Sequence, residues 1–171
     1  MNIIKSELSD AKALLALVNS AYRGDTAKKG WTSEADLLGG TRIDLGNLQL
    51  LLQDPNTFIY KFLSEDNEIV GCILLEIKEH AIYLGMLTVK PTLQNSGIGK
   101  QLLQFAEKYA QEHQKHKIEM TVISKRTELI QWYNRNGYQD TGERKPFPEL
   151  GPAFGIPKEP LEFVVLSKKI Q

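Results

Sequence analysis

The chain has 171 residues, 42% of them hydrophobic, which is one domain's worth and enough to bury a core. Lys and Arg number 21 and Asp and Glu 21, so the net charge is zero and gives no electrostatic reason to expect nucleic acid or an anionic membrane as a partner. A lone cysteine, Cys72, excludes an internal disulfide, and no run approaches the ~20 apolar residues that span a bilayer.

The start, residues 1–7, has neither the apolar core of a signal peptide nor an Arg-rich amphipathic pattern, so the expectation is one cytoplasmic domain over 1–171, monomeric or homodimeric. A short strand is predicted near 2–6. A helix follows, capped by Ser9, with Leu14, Leu17, Val18 and Ala21 on one face. Residues 22–43 are irregular and punctuated by Gly24, Gly30, Gly39 and Gly40, with a helical turn near 33–38 and a short helix over 45–53. Strands at 57–63, 68–78 and 81–90 form an antiparallel meander, turned at Glu65-Asp66-Asn67 and Glu79-His80. Cys72 falls in the apolar run Ile69–Leu75 and reads as a buried, inert strand residue rather than a nucleophile.

A helix at 97–114 and a strand at 117–123 then make a strand–helix–strand crossover, so the strands flanking that helix are expected to be parallel. A helix at 126–136 ends at Gly137. A strand at 138–144, a Pro/Gly-rich excursion at 146–160 and a last strand at 161–166 complete the chain. The fold class is α/β of the α+β type, a mixed, mostly antiparallel sheet flanked by helices.

The most informative junction lies between the strand at 81–90 and the helix at 97–114. Gly97 and Gly99 let the backbone approach a ligand, and the first N–H groups of the helix sit at the positive end of its dipole, where a phosphate is favoured. Gln94, Asn95 and Ser96 add polar side chains, Ile98 starts the apolar face and Lys100 adds a cation. A dinucleotide fingerprint needs Gly or Ala where Leu102 stands, and a P-loop needs Gly at Gln94 and Ser or Thr at Gln101, so both motifs fail.

What remains, Gln-x-x-Gly-x-Gly at a strand-to-helix turn, resembles the pyrophosphate-binding signature of the GNAT superfamily of N-acetyltransferases. The order of elements is similar to that fold over nearly the whole chain. Segment 126–138 resembles the family's helix near the thiol of coenzyme A, where a Tyr stands four residues before Gly-aromatic; here it is Tyr133.

The resemblance implies acetyl-CoA as co-substrate, its pyrophosphate at 94–100 and its pantetheine arm along the backbone of Leu87, Thr88 and Val89. It implies Tyr133 as the general acid that protonates the departing thiolate, since a phenol of pKa ~10 is protonated at neutral pH. Many members carry Asn seven residues before the Tyr, whereas this chain has Arg126, for which a phosphate contact is the substitute. Trp132 and Tyr138 read as core aromatics.

An amine acceptor of pKa ~10 has to lose a proton, and Glu76 is the leading carboxylate for that work; a solvated strand-end glutamate is the alternative. Tyr83 and His80, near the adjoining turn, are further candidates behind Glu76, and Tyr83 is also expected to contact the acceptor. His113 and His116 stand on a polar helix end with no ligand set around them, so no metal is expected. The acceptor is expected to be a small amine meeting Tyr22-Arg23-Gly24-Asp25 and the segment that carries Trp31, Glu34, Asp36 and Arg42, which look like the family's substrate-variable region. In one reading Trp31 walls the pocket, Glu34 or Asp36 attracts an ammonium and Arg42 holds a carboxylate. In the other Glu34 and Arg42 pair with each other. Direct acetyl transfer to an amine is the implied activity; transfer to a protein amine or a hydroxyl, and a non-catalytic acyl-CoA sensor, are its rivals.

Overall fold

The computed structural model describes residues 2–22, 38–39, 43–147, 156–158 and 160–171. Strand β1 (Ile3–Lys5) leads through a 3-10 turn (Leu8–Asp10) straight into helix α1 (Ala11–Tyr22). Ser9 therefore lies inside the opening turn instead of capping the helix. The Asp10 carboxylate accepts the Glu7 N–H at 2.8 Å, which starts the helical path two residues earlier than a Ser9 cap would. Strand β2 (Leu38–Gly39) is followed by α2 (Leu45–Gln53), whose N-cap Asp44 accepts the Asn47 N–H at 2.8 Å. The meander comprises β3 (Thr57–Leu63), β4 (Ile69–Ile77) and β5 (Ile82–Val89). Then come α3 (Ile98–Glu112), β6 (Lys117–Ile123), α4 (Thr127–Arg135), β7 (Gln139–Pro146), β8 (Ile156–Pro157) and β9 (Glu162–Lys169).

Seven strands form one sheet in the order β1-β3-β4-β5-β6-β9-β7, and β2 pairs with β8. Leu38 thus belongs to a strand, not to the helical turn expected near 33–38. The other residues of that turn lie outside the described residues. Strand β9 runs three residues beyond Leu166 because its antiparallel register with β6 continues to Lys117↔Lys169 after the apolar run has ended. Every paired interface of the large sheet is antiparallel except β5–β6, which is parallel as the crossover requires.

Strand β4 is apolar without alternation because both of its faces are covered. Ile73 and Leu75 pack with Leu102, Ala106 and Ile118 on the α3 side, while Cys72 and Leu74 pack with Leu14, Val18 and Leu48 on the α1–α2 side. Each such buried aliphatic side chain contributes about 1.5–3 kcal/mol. The parallel pairing of β5 with β6 comprises only Ile82↔Ile118 and Tyr83↔Glu119. Beyond Tyr83 the two strands part, and that opening positions the site.

Candidate active site

The parting of β5 from β6 has a local cause. Between the pairs Cys72↔Thr88 and Leu74↔Gly85, two residues of β5, Met86 and Leu87, face the single residue Ile73. Met86 takes φ +49°, and this bulge twists the strand. The displaced Leu87 carbonyl accepts a 2.7 Å hydrogen bond from the Tyr22 hydroxyl at the end of α1. Thr88 is 2% exposed and turns its hydroxyl back to the Met86 carbonyl at 2.9 Å, so it can serve a ligand only through its backbone. Cys72 is fully buried with its thiol toward the same carbonyl, which fits the reading of an inert strand cysteine.

Downstream, a 3-10 turn (Pro91–Leu93) and Asn95 at φ +68° carry the chain to Gly97, which caps α3 at φ +88°. A Cβ at Gly97 would touch nothing within 4 Å, so this glycine serves the left-handed backbone and leaves the space beside it open. The first bond of the helix runs from Gln101 N–H to the Gly97 carbonyl, so the N–H groups of Ile98, Gly99 and Lys100 precede the intrahelical ladder. Gln94 donates through Nε2 to the Val89 carbonyl at 3.3 Å and ties the turn to the end of β5. The Ser96 hydroxyl donates to the Leu93 carbonyl within its own turn.

Helix α4 supplies the far wall. A Cβ on Gly99 would stand 3.3 Å from the Trp132 ring, so the bare backbone there admits the indole across the start of α3. Trp132 meets Tyr133 edge-on at 5.1 Å, and Tyr133 meets Tyr138 at 5.8 Å. Lys168 of β9 fixes the helix end by donating to the Asn136 carbonyl at 3.0 Å while pairing with Glu107 of α3. Tyr133 is 5% exposed. Burial pushes its phenol well above the ordinary range, Tyr22 adds to the rise, and the Arg126 charge pulls the other way.

These elements line one open cleft. Ala21 and Tyr22 line it from α1, Leu87, Thr88 and Val89 from β5, Leu93, Gln94, Asn95 and Gly97 to Lys100 from the turn, and Arg126, Leu129, Trp132 and Tyr133 from the α4 side. The cleft brings together Tyr133, Arg126, residues 87–89 and every expected residue of the 94–100 turn except Ser96. Glu76 and Tyr83 do not line it. Glu76 is held by Lys78 at 2.8 Å and stands directly across from Tyr83 in the β4–β5 register. The Tyr83 hydroxyl lies 2.9 Å from the Thr121 hydroxyl, bridging β5 and β6 where they part. Trp31, Glu34, Asp36 and Arg42 lie outside the described residues. Among the described residues no three His, Cys, Asp or Glu side chains group as a metal site, and no helix is long and apolar enough to cross a membrane.

The model of the acetyltransferase (GNAT) family matches residues 15–138, which takes in most of α1, the meander, the Gly97 turn and Tyr133. The chain belongs to the acetyltransferase (GNAT) family. Aminoalkylphosphonate N-acetyltransferase of Salmonella typhimurium is 32% identical over 96 residues, covering 53% of this chain and 62% of that relative, so the chain spans under two thirds of its length. The GNAT acetyltransferase structure from Staphylococcus aureus Mu50 superposes with a TM-score of 0.69 over 99% of both chains at 20% identity. A Bacillus anthracis Ames structure in complex with acetyl coenzyme A superposes with a TM-score of 0.58 at 20% identity over 71% of this chain and 67% of that one. At these identities the structural likenesses show the fold.

In this GNAT chain Trp132, which reads as core, lines the cleft, and so does Tyr22, which opens the stretch expected to meet the acceptor. The Tyr22 contact spans 65 positions and leaves no local signal. Trp132 has one, since a glycine facing an aromatic helix permits close packing, but the pairing needs the angle between α3 and α4.

Proposed function

We propose that this protein transfers the acetyl group of acetyl-CoA directly to the amine of a small acceptor. The observation that carries the reading is the convergence, in one cleft, of the α3 N-terminus, the bulged β5 backbone and the buried Tyr133 phenol. The cradle fits a pyrophosphate: N–H groups ahead of the helical ladder, the positive end of the dipole, the Lys100 cation and open space at Gly97. A structural relative that holds acetyl coenzyme A supports the same donor.

In this reading acetyl-CoA supplies an activated acyl group on a thiol leaving group. The N–H groups of 98–100 hold the pyrophosphate, and the backbone of Leu87, Thr88 and Val89 guides the pantetheine arm. A β5 N–H polarises the thioester carbonyl. Tyr133 gives the thiolate its proton. The acceptor amine sheds its proton through water, with Glu76 as the proposed terminal base reached past its cross-strand partner Tyr83. Trp31, Glu34 and Arg42 are proposed to contact the acceptor. The Salmonella relative makes aminoalkylphosphonates the first acceptors to try.

Release of free coenzyme A, measured across a panel of aminoalkylphosphonates, amino acids, polyamines and peptides, tests the proposal. Turnover with a small amine is the expected result. Coenzyme A binding without turnover on any acceptor would replace this reading with a sensor module.

A further inference from the structure

We propose that Arg126 is a positioning residue for catalysis, placing a fixed positive charge beside the Tyr133 phenol so that Tyr133 can release its proton to the leaving thiolate. The inference rests on the assignment of Tyr133 as the general acid. It gives Arg126 a role at the thiol end of the cleft in place of a phosphate contact.

The proton transfer is uphill as it stands. A thiol titrates near ~8.5 and a phenol near ~10, and burial of Tyr133 widens the gap by penalising the phenolate. Among the described residues the ionisable groups acting on Tyr133 are Tyr22 from α1, Tyr83 from β5, Tyr138 beyond α4, and Arg126. Three of them are phenols, which repel a neighbouring phenolate when ionised and offer it no charge when neutral. Arg126 alone among the four is cationic, and a guanidinium keeps its charge even when only 6% exposed.

The backbone fixes where this charge lies. The Arg126 N–H donates to the Ile123 carbonyl at 3.0 Å, and its own carbonyl accepts the Ile130 N–H at 3.0 Å, so the residue is clamped between β6 and α4. Its guanidinium lies over the Tyr22 ring, 5.9 Å from the centroid, and the Tyr22 hydroxyl is anchored on Leu87. Arg126 opens α4 and Tyr133 stands seven residues on, two turns along the same helix, and both line the one cleft.

In the step itself the neutral amine, its ammonium proton already given up through water to Glu76, has bonded to the carbonyl carbon, and the carbon–sulfur bond breaks with its electron pair on sulfur. The Tyr133 O–H bond breaks and an S–H bond forms, leaving free thiol and a phenolate in the cleft that Arg126 lines. The second proton, lost by the acylated nitrogen as it becomes an amide, restores the phenol, so the cycle needs no further reactant.

The test compares Arg126→Gln and Arg126→Lys, each in the wild-type and Tyr133→Phe backgrounds, by kcat under chemistry-limited conditions and by calorimetry with coenzyme A. Arg126→Gln is expected to lose at least tenfold in kcat while coenzyme A affinity stays within about twofold. Arg126→Lys should recover most of the rate because it keeps the charge. In the Tyr133→Phe background Arg126→Gln should cost nothing more, since it acts through the phenol. Equal losses in both backgrounds, or weakened coenzyme A binding with kcat unchanged, would overturn the proposal. A Tyr133→Phe variant at wild-type kcat would instead overturn the general-acid assignment beneath it.

Discussion

Gly99 and Trp132 are mutually fitted: a Cβ on Gly99 would stand 3.3 Å from the indole, a few tenths of an ångström closer than ordinary packing. The glycine thus admits the aromatic wall of the cleft as well as exposing N–H groups to a ligand. Gly99→Val is expected to cost about 1–3 kcal/mol through overpacking, and the added Trp132→Leu change should restore much of that stability. Gly97→Ala should cost about 1–2 kcal/mol through its left-handed backbone alone, with no relief from Trp132→Leu. Denaturant unfolding of the single and double variants checks both, and equal rescue of the two glycine variants would contradict the distinction.

Tyr133→Phe removes one hydroxyl from a buried ring whose packing against Trp132 and Tyr138 remains. The expected effect is a fall in kcat of ~10²-fold, with coenzyme A affinity nearly unchanged because the 94–100 turn is untouched. Steady-state kinetics paired with calorimetry separates the two quantities. A large loss of affinity with normal turnover would make Tyr133 a binding residue.

Tyr22→Phe deletes the hydroxyl that holds the Leu87 carbonyl at the β5 bulge. A stability loss of about 1 kcal/mol is expected for one hydrogen bond. The KM for acetyl-CoA should rise severalfold, since the loosened backbone is the proposed guide for the pantetheine arm. An unchanged donor KM in a destabilised protein would show that the bulge keeps its shape without Tyr22.

Acid should weaken the attachment of α1 to the sheet. Burial raises the Asp10 carboxyl, but hydrogen bonds from the Glu7 N–H and Lys61, with the Lys61 charge, outweigh it and hold the group below the usual carboxylate range. A depressed folded-state pKa means the contribution is fully present above the unfolded value of ~3.9 and is lost as pH falls through the folded value. Asp10→Asn should therefore lower stability at neutral pH and flatten the decline below about pH 4. Thermal unfolding from pH 2 to 7 compares the variants, and identical acid limbs would remove Asp10 as a contributor.

Much of this molecule is written locally. The period-two alternation of Ile82–Val89 and the helical spacing of Ile98, Leu102, Ala106 and Tyr109 are properties of short segments, so both elements are legible in the amino-acid order alone. The Gly97 turn, the placement of Tyr133 four residues before Gly137 and the parallel crossover follow from the same short-range logic. The β5 bulge is not legible there, because Met86 at φ +49° is no glycine and its conformation is imposed by the register against β4. Nor is the place of Glu76: the amino-acid order offers a strand-end carboxylate with Lys78 two residues on, while only the folded chain leaves it off the cleft wall. Tyr22 on Leu87, Trp132 on Gly99 and Arg126 over Tyr22 join residues whose separations along the chain carry no signal. A segment's own periodicity determines whether it becomes helix or strand, whereas the composition of the cleft depends on how helices and strands pack together.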